Sequence, residues 1–255
     1  MSEPLFTGVG VALATLFDEA GELDAKATAG HAATLVELGV RAVVVAGSTG
    51  EASALTSEER LALLTETRKA VPAEVPVIAG TGAPSARQAA ALTLDAREAG
   101  ADAVLALCPP RNTDPRPYYR AVAEAAGGLP ALAYHFPQTA PPGIPVEALA
   151  DLPVQGMKDS SGDPERLLSE LEVFDRPLYV GAAMLVLLAG SLGIAGAILA
   201  VANVDPEHAI AAFAGDPAAQ QSLLAAHKRA QRAFPLGLKQ AIADRFGTSP
   251  TTRLA

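Results

Sequence analysis

The chain has 255 residues, half of them apolar, with 28 acidic against 19 basic residues and a formal net charge of −9. Length and apolar content allow a sizeable core in one large domain or two small ones, and the length alone suits a single α/β barrel. The acidic balance, with no long basic run, argues against nucleic acid or an anionic membrane surface as partner, so a small anionic substrate would need local positive groups.

Apolar runs of strand type alternate with amphipathic helical stretches, the pattern of βαβ units and a parallel sheet. The first run, Val9–Leu16, precedes a helix from about Asp24 to Leu38 that stops at Gly39. Ala42–Ala46 leads to a helix opening at Ser57, where Glu58 and Glu59 suit the positive helix end. Pro76–Ala79 is followed by a helix from about Ser85 to Ala99, and Ala103–Leu107 by one near Pro117–Ala126. Ala131–Tyr134 carries a short helix after Pro145, and Val154–Lys158 a helix from Asp163 or Pro164 to Glu172. Leu178–Val180 with Ala182–Leu188, and Gly196–Val201 with Pro206–Phe213, complete eight units.

Eight units, with no glycine-rich dinucleotide turn after the first strand, favour a TIM (β/α)8 barrel over a doubly wound sheet. Residues 1–214 form the expected catalytic barrel, and residues 215–255 a short C-terminal helical appendage, with helices near Ala218–Ala233 and Pro235–Phe246. The uncharged stretch from Leu178 to Asn203 has the length of a membrane helix, but Gly181, Gly190, Gly193 and Gly196 divide it into strand, short helix and strand. The start, Met1-Ser2-Glu3-Pro4-Leu5-Phe6-Thr7-Gly8, shows no basic leader or apolar core segment, which makes the cytoplasm the expected location.

In such a barrel the chemistry belongs to the loops at the carboxyl ends of the strands. Four groups of unusual polar residues fall there: Gly47-Ser48-Thr49-Gly50-Glu51, Arg111 with Asn112, Tyr134, and Lys158. Of the five lysines, Lys26, Lys69, Lys228 and Lys239 lie in alanine-rich helical segments and are expected to face water, whereas Lys158 ends a short apolar run. Desolvation on a buried strand would push its pKa down and free an amine to attack a carbonyl, the activation of a Schiff-base lysine. Snorkelling, or pairing with a nearby acid, remains open for the same residue.

Alternation puts Leu132 and Tyr134 on one strand face and His135 on the other, toward the helix layer. Tyr134 is then either a proton carrier in the barrel mouth or a core tyrosine with a satisfied hydroxyl. The Gly47–Gly50 turn offers hydroxyls and backbone N–H groups suited to a carboxylate, or is simply a tight connection. Cys108, the one cysteine, excludes an internal disulfide and is read as a buried free thiol.

Together, Gly47–Glu51, Tyr134-x-x-Pro137, Gly156-Met157-Lys158-Asp159-Ser160-Ser161-Gly162-Asp163 and Gly196–Asn203 resemble, in order and spacing, the dihydrodipicolinate synthase / N-acetylneuraminate lyase family. The resemblance runs from about Phe6 to Pro206. It implies a class I aldolase or lyase acting on pyruvate or another 2-oxo acid, without metal or organic cofactor. By that resemblance Lys158 forms the imine and Tyr134 shuttles protons. Ser48, Thr49 and the Gly47 turn hold the carboxylate, and Ile198 lines the pocket. It also implies a homo-oligomer, dimer or tetramer, with the short segment after Arg253 bearing on assembly.

The chain departs from the synthase branch in two places. The loop after Tyr134 reads Pro137-Gln138-Thr139-Ala140, without the arginine that binds the second substrate's carboxylate in that branch. The loop after strand four reads Cys108-Pro109-Pro110-Arg111-Asn112, with Arg111 near the place of a relay tyrosine. Arg111 is then either a receiver for a carboxylate or hydroxylated tail of an aldol substrate or a solvated loop residue. Three functions follow as expectations: an aldolase for a 2-keto-3-deoxy sugar acid or 4-hydroxy-2-oxoglutarate; a synthase condensing pyruvate with aspartate semialdehyde; or a barrel that binds a 2-oxo acid without turnover.

Overall fold

A computed structural model describes residues 3–254; Met1, Ser2 and Ala255, the outer limits of the two expected segments and the start of the leader reading, lie outside them. Eight parallel strands close into a barrel among the described residues, each paired with its successor in the chain and the last with the first. They are β1 (Gly8–Ala12), β2 (Val43–Val45), β3 (Val77–Gly80), β4 (Ala103–Leu107), β5 (Ala131–His135), β6 (Gly156–Asp159), β7 (Leu178–Val180) and β8 (Gly196–Leu199).

Strand alternation sorts the side chains into two apolar layers. Ala12, Val44, Ile78, Leu105, Leu132, Tyr134 and Ile198 fill the barrel interior, while Val11, Val43, Val77, Val104, Ala133, Met157 and Val180 pack outward against the helices. Because both faces of every strand are buried, the strands read as continuous apolar runs.

The helices begin where the sequence supplies caps. In α1 (Ala25–Glu37) the Asp24 carboxylate accepts from the Ala27 N–H, and Gly39 follows at φ +102°, closing the helix. In α2 (Ser57–Ala70) Thr56 and Glu59 form a reciprocal capping box. Ser85 caps α3 (Ala86–Glu98), and α4 (Arg116–Ala126) ends at Gly127 in the left-handed region. Asp163 caps α5 (Pro164–Val173); α6 (Val186–Ser191) follows β7, and Asp205 caps α7 (Pro206–Phe213). Two further helices, α8 (Pro217–Ala230) and α9 (Leu236–Phe246), pack beside the barrel.

Two expectations are refined. The first strand stops at Ala12 because the Asn203 side chain takes over the neighbouring backbone, accepting from the Ala14 N–H at 2.9 Å and donating to the Ala12 carbonyl at 2.7 Å. After β5, where Pro141, Pro142 and Pro145 withhold N–H donors, the connection holds only the 3-10 turn Val146–Asp151. The uncharged stretch from Leu178 is β7, α6 and β8, and no helix among the described residues is long and apolar enough to cross a membrane.

Candidate active site

Lys158 and Tyr134 occupy paired positions on the adjacent strands β6 and β5. Both side chains point into the barrel mouth. Lys158 Nζ lies 4.4 Å from the centre of the Tyr134 ring, and the two residues are only 4 % and 5 % exposed. Ser160 Oγ donates to the Tyr134 hydroxyl across 3.4 Å, and Phe136 stacks on the same ring with centroids 5.9 Å apart. From behind, the fully buried Tyr119 of α4 ties β5 to its other neighbour, β4, at this point: its hydroxyl donates to the Ala106 carbonyl and accepts from the Tyr134 N–H.

These residues line a cavity of about 1380 Å³, whose wall includes Ser48, Thr49, Tyr134, Lys158, Ser160 and Gly181. Two glycines make the close approach geometrically allowed. A Cβ on Gly181 would overlap Ser160 Oγ and stand 2.7 Å from Lys158 Cε, so a bare backbone at the start of the loop after β7 leaves room for the lysine. A Cβ on Gly80 would overlap the carbonyl oxygen of Ala46, which sits at φ +51° just before the serine-threonine turn. That turn is closed by the Gly50 and Ala52 N–H groups donating to the Gly47 carbonyl, while the Thr15 hydroxyl holds the Gly50 carbonyl at 2.7 Å.

Not every expected residue reaches the cavity. Gly47 spends its carbonyl closing the turn and does not line the wall. Ile198 is fully buried in the interior layer that also holds Tyr134; the wall on that side is Leu199, Ala200 and Val201. Arg111 is exposed and absent from the wall: its left-handed backbone, φ +61°, turns the loop so that its N–H donates to the Pro141 carbonyl. Cys108 is buried, and desolvation pushes its thiol up to about 11, out of nucleophilic range at neutral pH.

One lysine contradicts its expectation. Lys239 does not face water but is fully buried, its Nζ 3.0 Å from Glu51 Oε1 and donating to the Thr251 carbonyl at 2.9 Å. Helical periodicity could not reveal this, because the chain segments that cover it are distant in sequence.

Behind Lys158, on the outward face of β6, lies a buried charge cluster. Asp159 and Glu170 share one guanidinium, Arg166, whose Nε is 3.9 Å from Asp159 Oδ1 and 2.7 Å from Glu170 Oε1. Burial, reinforced by the charge of Asp159, pushes the Glu170 carboxyl up to about 8. His135 faces this layer, as alternation predicts: its Nδ1 accepts from the Ile144 N–H at 2.8 Å, and burial holds it neutral, with its pKa down to about 3.

With this geometry established, comparison with known proteins decides the family. Residues 5–243 match the model of the dihydrodipicolinate synthetase family. The chain belongs to that family. Within it, an uncharacterized DapA-like lyase of Halobacterium salinarum is 38 % identical over 209 residues, 78 % of this chain and 68 % of the relative. The 4-hydroxy-tetrahydrodipicolinate synthase of Pseudomonas aeruginosa is 35 % identical over 237 residues, covering 86 % and 80 % of the two chains. The crystal structure of YagE, a prophage protein of E. coli K12 in complex with pyruvate, superposes with a TM-score of 0.89 at 27 % identity over 98 % of this chain and 92 % of that one. This member of the dihydrodipicolinate synthetase family is accordingly a TIM-barrel enzyme, a carbon–carbon lyase of the class I aldolase type.

Ser160, Gly181 and Tyr119 carry no role in the sequence reading, although Ser160 falls inside the lysine motif and Gly181 is the first residue after a strand. Either position could have been flagged as loop residues facing the mouth; neither contact could have been.

Proposed function

We propose that the chain makes or breaks a carbon–carbon bond next to the carbonyl of a 2-oxo acid, pyruvate being the three-carbon partner, through an imine on Lys158. The observation that carries this reading is the pairing of Lys158 with Tyr134 in one buried cavity that Ser48 and Thr49 also line.

In the cleavage direction the Lys158 amine adds to C2 of a 4-hydroxy-2-oxo acid, and loss of water gives a protonated imine. The C4 hydroxyl gives up its proton and the C3–C4 bond breaks. Its electron pair moves into the imine, so the aldehyde leaves and an enamine remains in place of a bare carbanion. Protonation at C3 and hydrolysis then release pyruvate and the free lysine. The Tyr134 phenol, hydrogen-bonded to Ser160 and beside Lys158, serves as proton carrier for these steps. The hydroxyls and N–H groups of the Ser48-Thr49 turn receive the carboxylate by charge-assisted hydrogen bonds.

The wall on the β5 and β6 side favours a hydroxylated aldehyde as the second product. Gln138, Thr139, Ser160 and Ser161 supply neutral donors and acceptors there, as a 2-keto-3-deoxy sugar acid or a 4-hydroxy-2-oxo acid requires. The names of the curated relatives favour a second reading, condensation of pyruvate with aspartate semialdehyde. Two assays separate them: pyruvate release from a panel of 4-hydroxy-2-oxo acids, and consumption of aspartate semialdehyde with pyruvate. The first reading predicts turnover in the former and little in the latter. Efficient turnover of the semialdehyde, with none of the panel cleaved, overturns it in favour of the second.

A further inference from the structure

The segment after α9 folds back onto the loop that carries Ser48 and Thr49. Glu51, two residues beyond Thr49, is 1 % exposed and left-handed at φ +56°, a conformation that a non-glycine residue keeps only where its surroundings enforce it. Its carboxylate receives three partners from the C-terminal region: the Arg253 and Leu254 N–H groups at 2.7 and 2.9 Å, and the Lys239 ammonium.

Arg253 extends the fastening. Its guanidinium grips Glu59 with two bonds of 2.9 and 2.7 Å and donates to the Gly21 and Ala54 carbonyls. Both Arg253 and Lys239 also lie 4.4 Å from the ring centre of the buried Phe17. Next to Glu59 on α2, Arg60 donates to the Ala52 and Gly80 carbonyls. The serine-threonine turn is therefore held between α2 and the Arg253–Leu254 segment, and Leu254 itself reaches the cavity wall. Glu51, Lys239 and Arg253 do not line the cavity, so any effect on substrate passes through the turn.

We infer that Glu51, Lys239 and Arg253 are positioning residues, and that the C-terminal segment is a strap fixing the Ser48-Thr49 turn in the geometry that receives the 2-oxo acid's carboxylate. The inference rests on the carboxylate role proposed for that turn. It explains a buried ion pair that the barrel would otherwise not need: removing one charge from such a pair strands the other, so the pair acts as an all-or-none clamp.

The test uses the 255-residue chain and its variants Arg253→Ala, Arg253→Lys and Glu51→Gln. Hydrogen exchange reads the turn directly, and borohydride trapping reads binding with pyruvate and with its neutral methyl ester. The strap predicts faster exchange confined to the segment around Ser48–Glu51 and its anchors. It also predicts a roughly tenfold rise in the pyruvate concentration needed for half-trapping in Arg253→Ala, with the ester changed less than about twofold and Arg253→Lys partly restored. Unchanged exchange in that segment overturns the inference, as does an equal loss of trapping with both ketones. Wild-type protein that traps no pyruvate contradicts the catalytic reading instead, while the exchange result still decides whether the tail holds the turn.

Discussion

Lys158 and Tyr134 meet because period-two alternation and parallel register act on two neighbouring strands at once: each residue points inward, and the ladder sets them side by side. Removing the phenol alone tests its chemistry, since Tyr134→Phe keeps the ring that packs against Phe136 and loses one 3.4 Å hydrogen bond. Turnover is expected to fall about 10²- to 10³-fold with little change in melting temperature, measured by pyruvate release and calorimetry. Gly181→Ala asks whether space around the lysine matters. Because the added methyl would overlap Ser160 Oγ and stand 2.7 Å from Lys158 Cε, displacing both, imine formation is expected to slow by about tenfold or more while the fold stays intact. An unchanged trapping rate would show that the loop after β7 yields freely.

At the scale of elements, β6 and α5 enclose a carboxyl that burial holds protonated. Glu170 keeps its proton up to about pH 8 in the folded chain, whereas in the unfolded chain it ionises near 4.5. Its contribution to stability is thus full below about 4.5 and is lost as pH rises through 8. His31 and His135 act in the opposite sense. Burial lowers them to about 4 and about 3, so their contribution is present above 6.5 and lost as pH falls toward those values. Between pH 6.5 and 8 the histidines are silent and the glutamic acid dominates this balance. Over that interval stability should decline by about 2 kcal/mol, one proton's worth, and Glu170→Gln should flatten the decline in chemical denaturation. An identical slope in the variant would remove Glu170 from the account.

Across the whole molecule, what was legible follows the range of the interactions. The alternation of strands with helices, the helix starts near Asp24, Ser57 and Asp163, and the inward face of Tyr134 are set within a few residues and are legible in the sequence. Ile198 is expected at the pocket from the family resemblance alone, and its place in the buried interior layer depends on its depth along β8, which a motif does not give. For Arg111 the loop position and the place of the family's relay tyrosine leave a substrate receiver and a solvated residue both open, and the positive φ that turns it outward is a property of the folded loop. Lys239 sits on a helix with polar neighbours, and only the return of the tail to Glu51 explains its burial.

The proposed chemistry requires that the closed barrel gather one amine, one phenol and a carboxylate-receiving turn around a single ketone. Incubation with pyruvate and borohydride, followed by peptide mapping, tests it most directly. The expected product is one carboxyethyl group per chain on Lys158, absent from Lys158→Ala. A label on any other lysine, or no label at saturating pyruvate, would contradict the account.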